Sequence, residues 1–278
     1  MSPLGLIAGH GVFPFLVADG ARSQGRPVIA AALRGSANPE LRSHVTHYRE
    51  VGTLRLNQWI RTLKSHGVTQ AIMVGGVGGG GGKSKMHSRM KWFQFIPDFR
   101  VLRLYFTRLR HDKRDQAILL AVADELAKEG IILIDSTTYS RDHLATPGVM
   151  TRTAPTPAQL LDIDFGFPLC KLVSQNDIGQ AIAVVDKDVL AVEAVEGTDR
   201  MIQRAGQFAK GRPWTLIKVA NAHQDLRFDV PSIGVQTIEN LKAANCRCVV
   251  LEAGQTMLLE KPSVLALADR CGIAIVGR

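Results

Sequence analysis

At 278 residues the chain has room for one large domain or two of ordinary size. Its 46% hydrophobic and 21% charged residues argue against disorder, and no apolar run nears the ~20 residues of a bilayer span. Four cysteines without a C-x-x-C pair speak against a zinc ribbon or a disulfide framework, while a formal charge of +9 points to an anionic partner: nucleic acid, a membrane surface or a phosphorylated substrate. The opening "MSPLGLIAGHG" has neither a basic n-region nor a small-residue cleavage site, so a secretory signal is not expected and a reducing cytoplasm fits best.

Short apolar runs alternate with helical periodicity through the first half. Strands are predicted at 4–9, 27–33, 70–76 and 131–135, and helices at 13–25, 54–67 and 114–130. That rhythm predicts a Rossmann-like parallel sheet with helices on both faces, whose ligands sit at the carboxyl ends of the strands. A Pro- and Thr-rich stretch, "ATPGVMTRTAPTPAQ", then reads as a linker or crossover. Beyond it come a hairpin over 180–197 turning at Asp186–Asp188, a helix at 199–209, a strand at 214–220 and a helix at 234–246. A second hairpin over 248–261, a helix and a last strand close the chain. The resulting division is an N-terminal Rossmann-like α/β domain (1–145), a linker (146–165) and a C-terminal α/β domain with a mixed sheet (166–278).

The segment 83–114 holds ten Lys and Arg against Asp98 and Asp112, mixed with Trp92, Phe93, Phe95, Ile96, Phe99, Leu102, Leu104, Tyr105, Phe106 and Leu109. Such a mixture suits a surface that meets lipid head groups and acyl chains. A helix pair with a buried apolar face and solvated cations accounts for it as well.

Three stretches carry candidate chemistry. "VGGVGGGGGKSK" (74–85) ends in the Gly-Lys-Ser of a phosphate-binding loop, and Asp135 stands where an acidic strand end would hold magnesium. The first glycine of that motif falls on Val77, however, which breaks the tight turn that aims backbone N–H groups at phosphates. A mobile loop that approaches a ligand closely is the better reading, with Lys83 and Lys85 as anion contacts. "GLIAGHGVFP" has G-x-G between strand and helix, but Pro14 replaces the third glycine of a dinucleotide fingerprint and Arg34 stands where an acid would hold the ribose. In the second half, "AVEAVEGTDRMIQRAG" gathers Glu193, Glu196 and Asp199 at a helix start, with Thr198 as the expected N-cap. "KVANAHQDLRFDVPSIGVQT" adds Lys218, Asp225, Arg227 and Asp229, which together could bind a divalent cation and a diphosphate. A capped helix and a surface loop with local ion pairs remain the plainer readings of these two stretches. His223 and Asp225 form an H-x-D, too few ligands for a metal site.

Taken in order, "LGLIAGHGVFP", "DIGQAIAVVDKDVLAVEAVEGTDRMIQRAG", "LIKVANAHQDLRFDVPSIGVQTI" and "VLEAGQTMLLEKPSVLALADRCGIAIVG" resemble the LpxI-type UDP-2,3-diacylglucosamine diphosphatases of lipid A biosynthesis. The resemblance implies two α/β domains and magnesium-dependent hydrolysis of UDP-2,3-diacylglucosamine to UMP and 2,3-diacylglucosamine 1-phosphate. It places the key aspartate at Asp229 of "RFDVP". Substrate contacts carry over to Gly11, Val12, Val77, Gly78, Gln180, Thr198, Asp199, Lys218 and Thr237, while the metal ligands stay unassigned. The expected partners are a UDP-linked diacylated glucosamine lipid and an anionic membrane surface, with no nucleic acid, and the resemblance suggests a homodimer. The expected location is the cytoplasm, peripheral to the inner membrane of a bacterium with lipid A. The chain departs from the family pattern at Gly76, where a polar residue is usual, and at Asp115-Gln116 in place of a paired aspartate. The competing readings are a phosphate-loop kinase or ATPase and a non-enzymatic basic protein that binds RNA or membranes.

Overall fold

The computed structural model describes residues 1–77, 96–110, 115–221, 225–228 and 230–278, with the backbone alone at 115 and 116. The chain divides into two compact α/β units, Met1–Ser140 with Leu226–Phe228, and Arg141–Asp225 with Asp229–Arg278.

The first unit is built on five parallel strands: β1 (Leu4–Ala8), β2 (Val28–Leu33), β3 (His47–Val51), β4 (Gln70–Val74) and β5 (Ile132–Leu133). Their order is β3-β2-β1-β4-β5, as in a Rossmann-like sheet. Every residue of β1 and β2 is buried, which is why they read as continuous apolar runs rather than as alternations. One face is covered by α1 (Phe13–Ser23), through Val17, Ala18 and Ala21. The other is covered by α2 (Leu56–Lys64), α3 (Phe99–Leu104) and α4 (Asp115–Lys128), through Leu56, Leu63, Leu104 and Leu126. Full burial of one such leucine contributes roughly 1.5–3 kcal/mol. A single π-helical turn, Tyr105–Leu109, continues α3. β3 was not among the predicted strands. It is an edge strand of sequence HYREV, exposed at Arg49 and Glu50, and its charges hide the period-2 pattern while protecting the edge.

The second unit has a six-stranded mixed sheet, β6-β13-β11-β9-β7-β8. Its strands are β6 (Gly148–Val149), β7 (Ala181–Val185), β8 (Asp188–Val192), β9 (Trp214–Lys218), β11 (Cys246–Leu251) and β13 (Ala274–Gly277). The central trio β9, β11 and β13 is parallel, and β6, β7 and β8 pair antiparallel. The β7–β8 hairpin turns at Asp186 and Lys187, both at positive φ, as a two-residue hairpin requires. α6 (Thr198–Ala209), α7 (Val235–Ala243) and α8 (Lys261–Cys271) cover one face, and α5 (Pro157–Gln175) covers the other.

Two expectations are corrected here. The stretch 146–165, read as a linker, contains β6 and the first half of α5. Thr156 caps that helix by accepting from Gln159 N while the Gln159 side chain accepts from Thr156 N, a capping box with Pro157 in the first turn. The second hairpin does not form either. β12 (Met257–Leu258) pairs in parallel with β10 (Ser232–Ile233) as a separate two-stranded sheet, and no pairing joins it to β11.

Candidate functional site

Order reverses in the first unit's sheet between β1 and β4, so the turns after these strands open the ligand-binding edge of the fold. The two turns lock together through their backbones. Gly9 N donates to Val74 O (2.8 Å), His10 N to Gly76 O (2.8 Å) and Gly76 N to His10 O (3.0 Å). Only glycine permits this approach: a Cβ on Gly9 would lie 2.5 Å from the carbonyl oxygens of Gly75 and Gly76. One on Gly75, at φ +91, would lie 2.6 Å from His10 O. Gly11 (φ +107) then turns the chain into α1, with Val12 at its N-cap and Pro14 in its first turn. Val77 is exposed where it leaves the pair. Gly11, Val12 and Val77 therefore share one edge, with donors at a helix start and a backbone free of bulky side chains. Gly78, Lys83 and Lys85 lie outside the described residues. Asp135 accepts from the N–H and hydroxyl of Thr137 (2.8 Å each), a local turn rather than a free acidic strand end.

The second unit gathers its expected residues at the carboxyl end of β9. Lys218, the last residue of that strand, is buried, and its Nζ donates to Thr198 Oγ1 (2.9 Å). The Thr198 hydroxyl in turn donates to Glu193 Oε1 (2.7 Å), and Gln180 N donates to Glu193 Oε2 (3.3 Å). Lys218, Thr198, Glu193 and Gln180 thus form one connected chain. Gly197, at φ 81, is the N-cap of α6, and Thr198 is its first residue. The N-cap role expected of Thr198 is therefore corrected: its hydroxyl bonds a lysine and a glutamate instead. Asp199 Oδ1 accepts from Asn240 Nδ2 of α7 (3.0 Å). Thr237, three residues before Asn240, accepts from Gly234 N (3.4 Å) at the start of that helix. The N-terminus of α6 is thus tied to the second half of α7, and it is a source of backbone donors and of positive helix-dipole potential.

The acidic residues do not act as a cluster. Glu193 bonds Thr198 and Gln180, Glu196 pairs with Arg204, and Asp199 bonds Asn240. Two participants were not predicted as contacts. Glu193 was legible as an acid at a strand end, but its tie to Lys218 spans 25 residues of sequence and needs the sheet. Glu252 had no signal at all: its carboxylate takes Lys171 Nζ (2.9 and 3.0 Å) and Ala220 N (2.8 Å), and its N–H donates to Lys218 O (3.1 Å), clamping the end of β9. Cys170 lies beneath, its thiol pushed up to about 12 by burial and by the Glu193 carboxylate, which makes it inert as a nucleophile. Asp229 and His223 lie outside the described residues.

This arrangement suits an anion with several phosphate oxygens. A buried ammonium fixed by a hydroxyl, at the N-terminus of α6, costs little reorganisation when negative charge arrives. The two units also match known sequences separately. Residues 3–143 match the LpxI N-terminal domain model, and residues 146–276 match the LpxI C-terminal domain model. Over 285 aligned residues the whole chain is 30% identical to the UDP-2,3-diacylglucosamine pyrophosphatase LpxI of Caulobacter vibrioides, covering 98% of that protein.

Proposed function

Since the chain belongs to the LpxI family, we propose that it hydrolyses the diphosphate bond of UDP-2,3-diacylglucosamine to UMP and 2,3-diacylglucosamine 1-phosphate, a step of lipid A biosynthesis. The observation that carries this reading is the chain Lys218–Thr198–Glu193–Gln180 at the start of α6. Lys218 supplies a point charge for a non-bridging phosphate oxygen, and Thr198 and Glu193 hold its stem in place. The α6 N-terminus adds backbone donors that stabilise charge as the anhydride breaks. Gly11, Val12 and Val77 are assigned substrate contacts in the first unit, as is Gly78. Asp229 is assigned to the cleavage step.

Magnesium belongs to the proposal as the family's expected cofactor. Among the described residues no group of three or more His, Cys, Asp or Glu side chains is placed to hold a metal ion. The acids around Lys218 are already bonded to protein donors, so this set does not fit a metal site and no step is routed through one. Placement in the cytoplasm against the inner membrane, and assembly as a homodimer, complete the proposal. Among the described residues no helix is long and apolar enough to cross a membrane. The phosphate-loop reading is not favoured: Gly75 and Gly76 are engaged with Gly9 and His10, and Asp135 is engaged with Thr137.

The deciding experiment incubates the purified protein with UDP-2,3-diacylglucosamine and magnesium and scores UMP. Wild type should release UMP, and Asp229→Asn should bind substrate while losing at least about 10²-fold in turnover. Absence of UMP with any divalent metal would overturn the function. Full turnover by Asp229→Asn would remove that residue from the cleavage step.

A further inference from the structure

α3 is fastened to the first unit by polar groups, yet its apolar row faces outward. Asp98 caps the helix by accepting from Val101 N (3.0 Å) and also accepts from Asn57 N of α2 (2.7 Å). Arg100 donates to Asn57 Oδ1 (3.0 Å), Glu125 Oε2 (3.2 Å) and Glu129 Oε1 (2.6 Å). Leu104 is buried beneath, so the element is held in place. At 100° per residue, Phe99, Leu102 and Phe106 fall within about 60° of one another on the opposite side. Phe99 is 79% exposed, Phe106 66% and Leu102 41%. One face of this element, Val101, Leu104 and Leu109, packs on the core as the helix-pair reading expects, and Phe99, Leu102 and Phe106 stand outside that contact. Frayed ends do not explain the row, because the polar clamp orders the helix that carries it.

On the Arg100 flank of the helix lies a basic hollow of about 580 Å³, lined by Arg49, Arg61, Lys64, Arg100, Asn57 and Glu129 among others. Four cations face one carboxylate there. Glu129 is taken by Lys64 and Arg100, and among the described residues Arg49 and Arg61 pair with no acid. Solvated cations scattered over a surface would not converge on a hollow, and a free anion site would not need three exposed apolar side chains on the adjoining helix. Apolar side chains on one side of a helix and cations beside them are the composition of an element that lies in a bilayer interface.

We propose that α3 and this hollow form the membrane-docking surface: Arg49 and Arg61 take the phosphate of an anionic phospholipid head group while Phe99, Leu102 and Phe106 enter the acyl boundary. The inference rests on the functional reading above, because it names the surface by which an enzyme of a lipid substrate meets its membrane. It also extends that reading, since none of these residues belongs to the hydrolytic site.

The test uses the full chain and sedimentation with vesicles of phosphatidylglycerol or of phosphatidylcholine. Wild type should bind the anionic vesicles in a salt-sensitive way and bind the neutral ones weakly. Arg49→Gln/Arg61→Gln should bind about thirty-fold more weakly, the effect of two cations lost near an anionic leaflet. Phe99→Ser/Phe106→Ser should lose binding to a similar degree. UMP release from detergent-dispersed substrate should stay at the wild-type level in both variants, which also reports that they fold. Unchanged vesicle binding in either variant overturns the docking surface. So does displacement from vesicles by millimolar free glycerol phosphate, which would mark the hollow as a site for small phosphates. Failure to release UMP with vesicle binding intact would count against the hydrolase reading alone.

Discussion

The two units use the carboxyl ends of their strands in different ways. In the first, the working surface is backbone: Gly9, Gly75 and Gly76 bring two turns into direct hydrogen bonding, and Gly11 opens a helix start. In the second it is side chain: Lys218, Thr198 and Glu193 form an ordered chain at the start of α6. At Gly9 and Gly75 the backbone surface leaves no room for an added atom, whereas side-chain surfaces tolerate shape-conserving changes and fail when charge is removed. The same substitution logic cannot serve both.

The largest effect expected in the second unit is that of Lys218→Met, which keeps the packed stem and deletes the ammonium. It should lower kcat/KM for UMP release about 10²–10³-fold with little change in thermal stability. Activity within twofold of wild type would take Lys218 out of phosphate contact. In the first unit the corresponding change is Gly9→Ala. Its Cβ meets the carbonyl oxygens of Gly75 and Gly76 at 2.5 Å, so the turns must separate, at about 1–3 kcal/mol. Urea unfolding is the measurement, and an unshifted midpoint would show that the turns do not need each other.

The smallest effect concerns Glu125, buried in the first unit among Arg100, Arg103 and Lys128. Burial pushes its carboxyl up, but the Lys128 hydrogen bond and the three cations outweigh burial and hold it below its ordinary 4.5. A depressed value means stability that is complete above 4.5 and lost as pH falls through the lower folded-state value. Because Arg103 and Lys128 are half-exposed, the total is about 1 kcal/mol or less. Between about pH 5 and pH 3 the unfolding free energy of wild type should therefore fall more steeply than that of Glu125→Gln. Parallel curves would show that the ion pairs are screened out.

Legibility followed how local the physics was. Strands buried on both faces announced themselves as apolar runs, and α6 and α8 by their periodicity. α5 stayed hidden because Pro157, Gly166 and Pro168 resemble linker punctuation. Its Thr156–Gln159 capping box was present in the sequence, and Gly166 sits close to the sheet, where a Cβ would lie 2.4 Å from Ile217 Cδ1. A mid-helix proline costs about 3 kcal/mol in isolation, a penalty that packing on the sheet offsets. The false hairpin had the opposite cause. "CVVLEAGQTMLLEK" carries two apolar runs and a glycine turn, and nothing local says that Met257–Leu258 will pair with Ser232–Ile233 rather than with β11.

By itself, the sequence determined the two α/β units, the strand-end glycines and the family likeness, because residue type and short-range periodicity carry that information. It also singled out Lys218, Thr198, Asp199 and Gln180 through the motifs around them. Only the tertiary structure decided that Glu193 holds Thr198, that Glu252 clamps the end of β9, and that Phe99 and Phe106 face outward from an element whose Arg100 lines a basic hollow. Each depends on partners brought together from distant segments, and a chain read one window at a time contains no term for such a pairing.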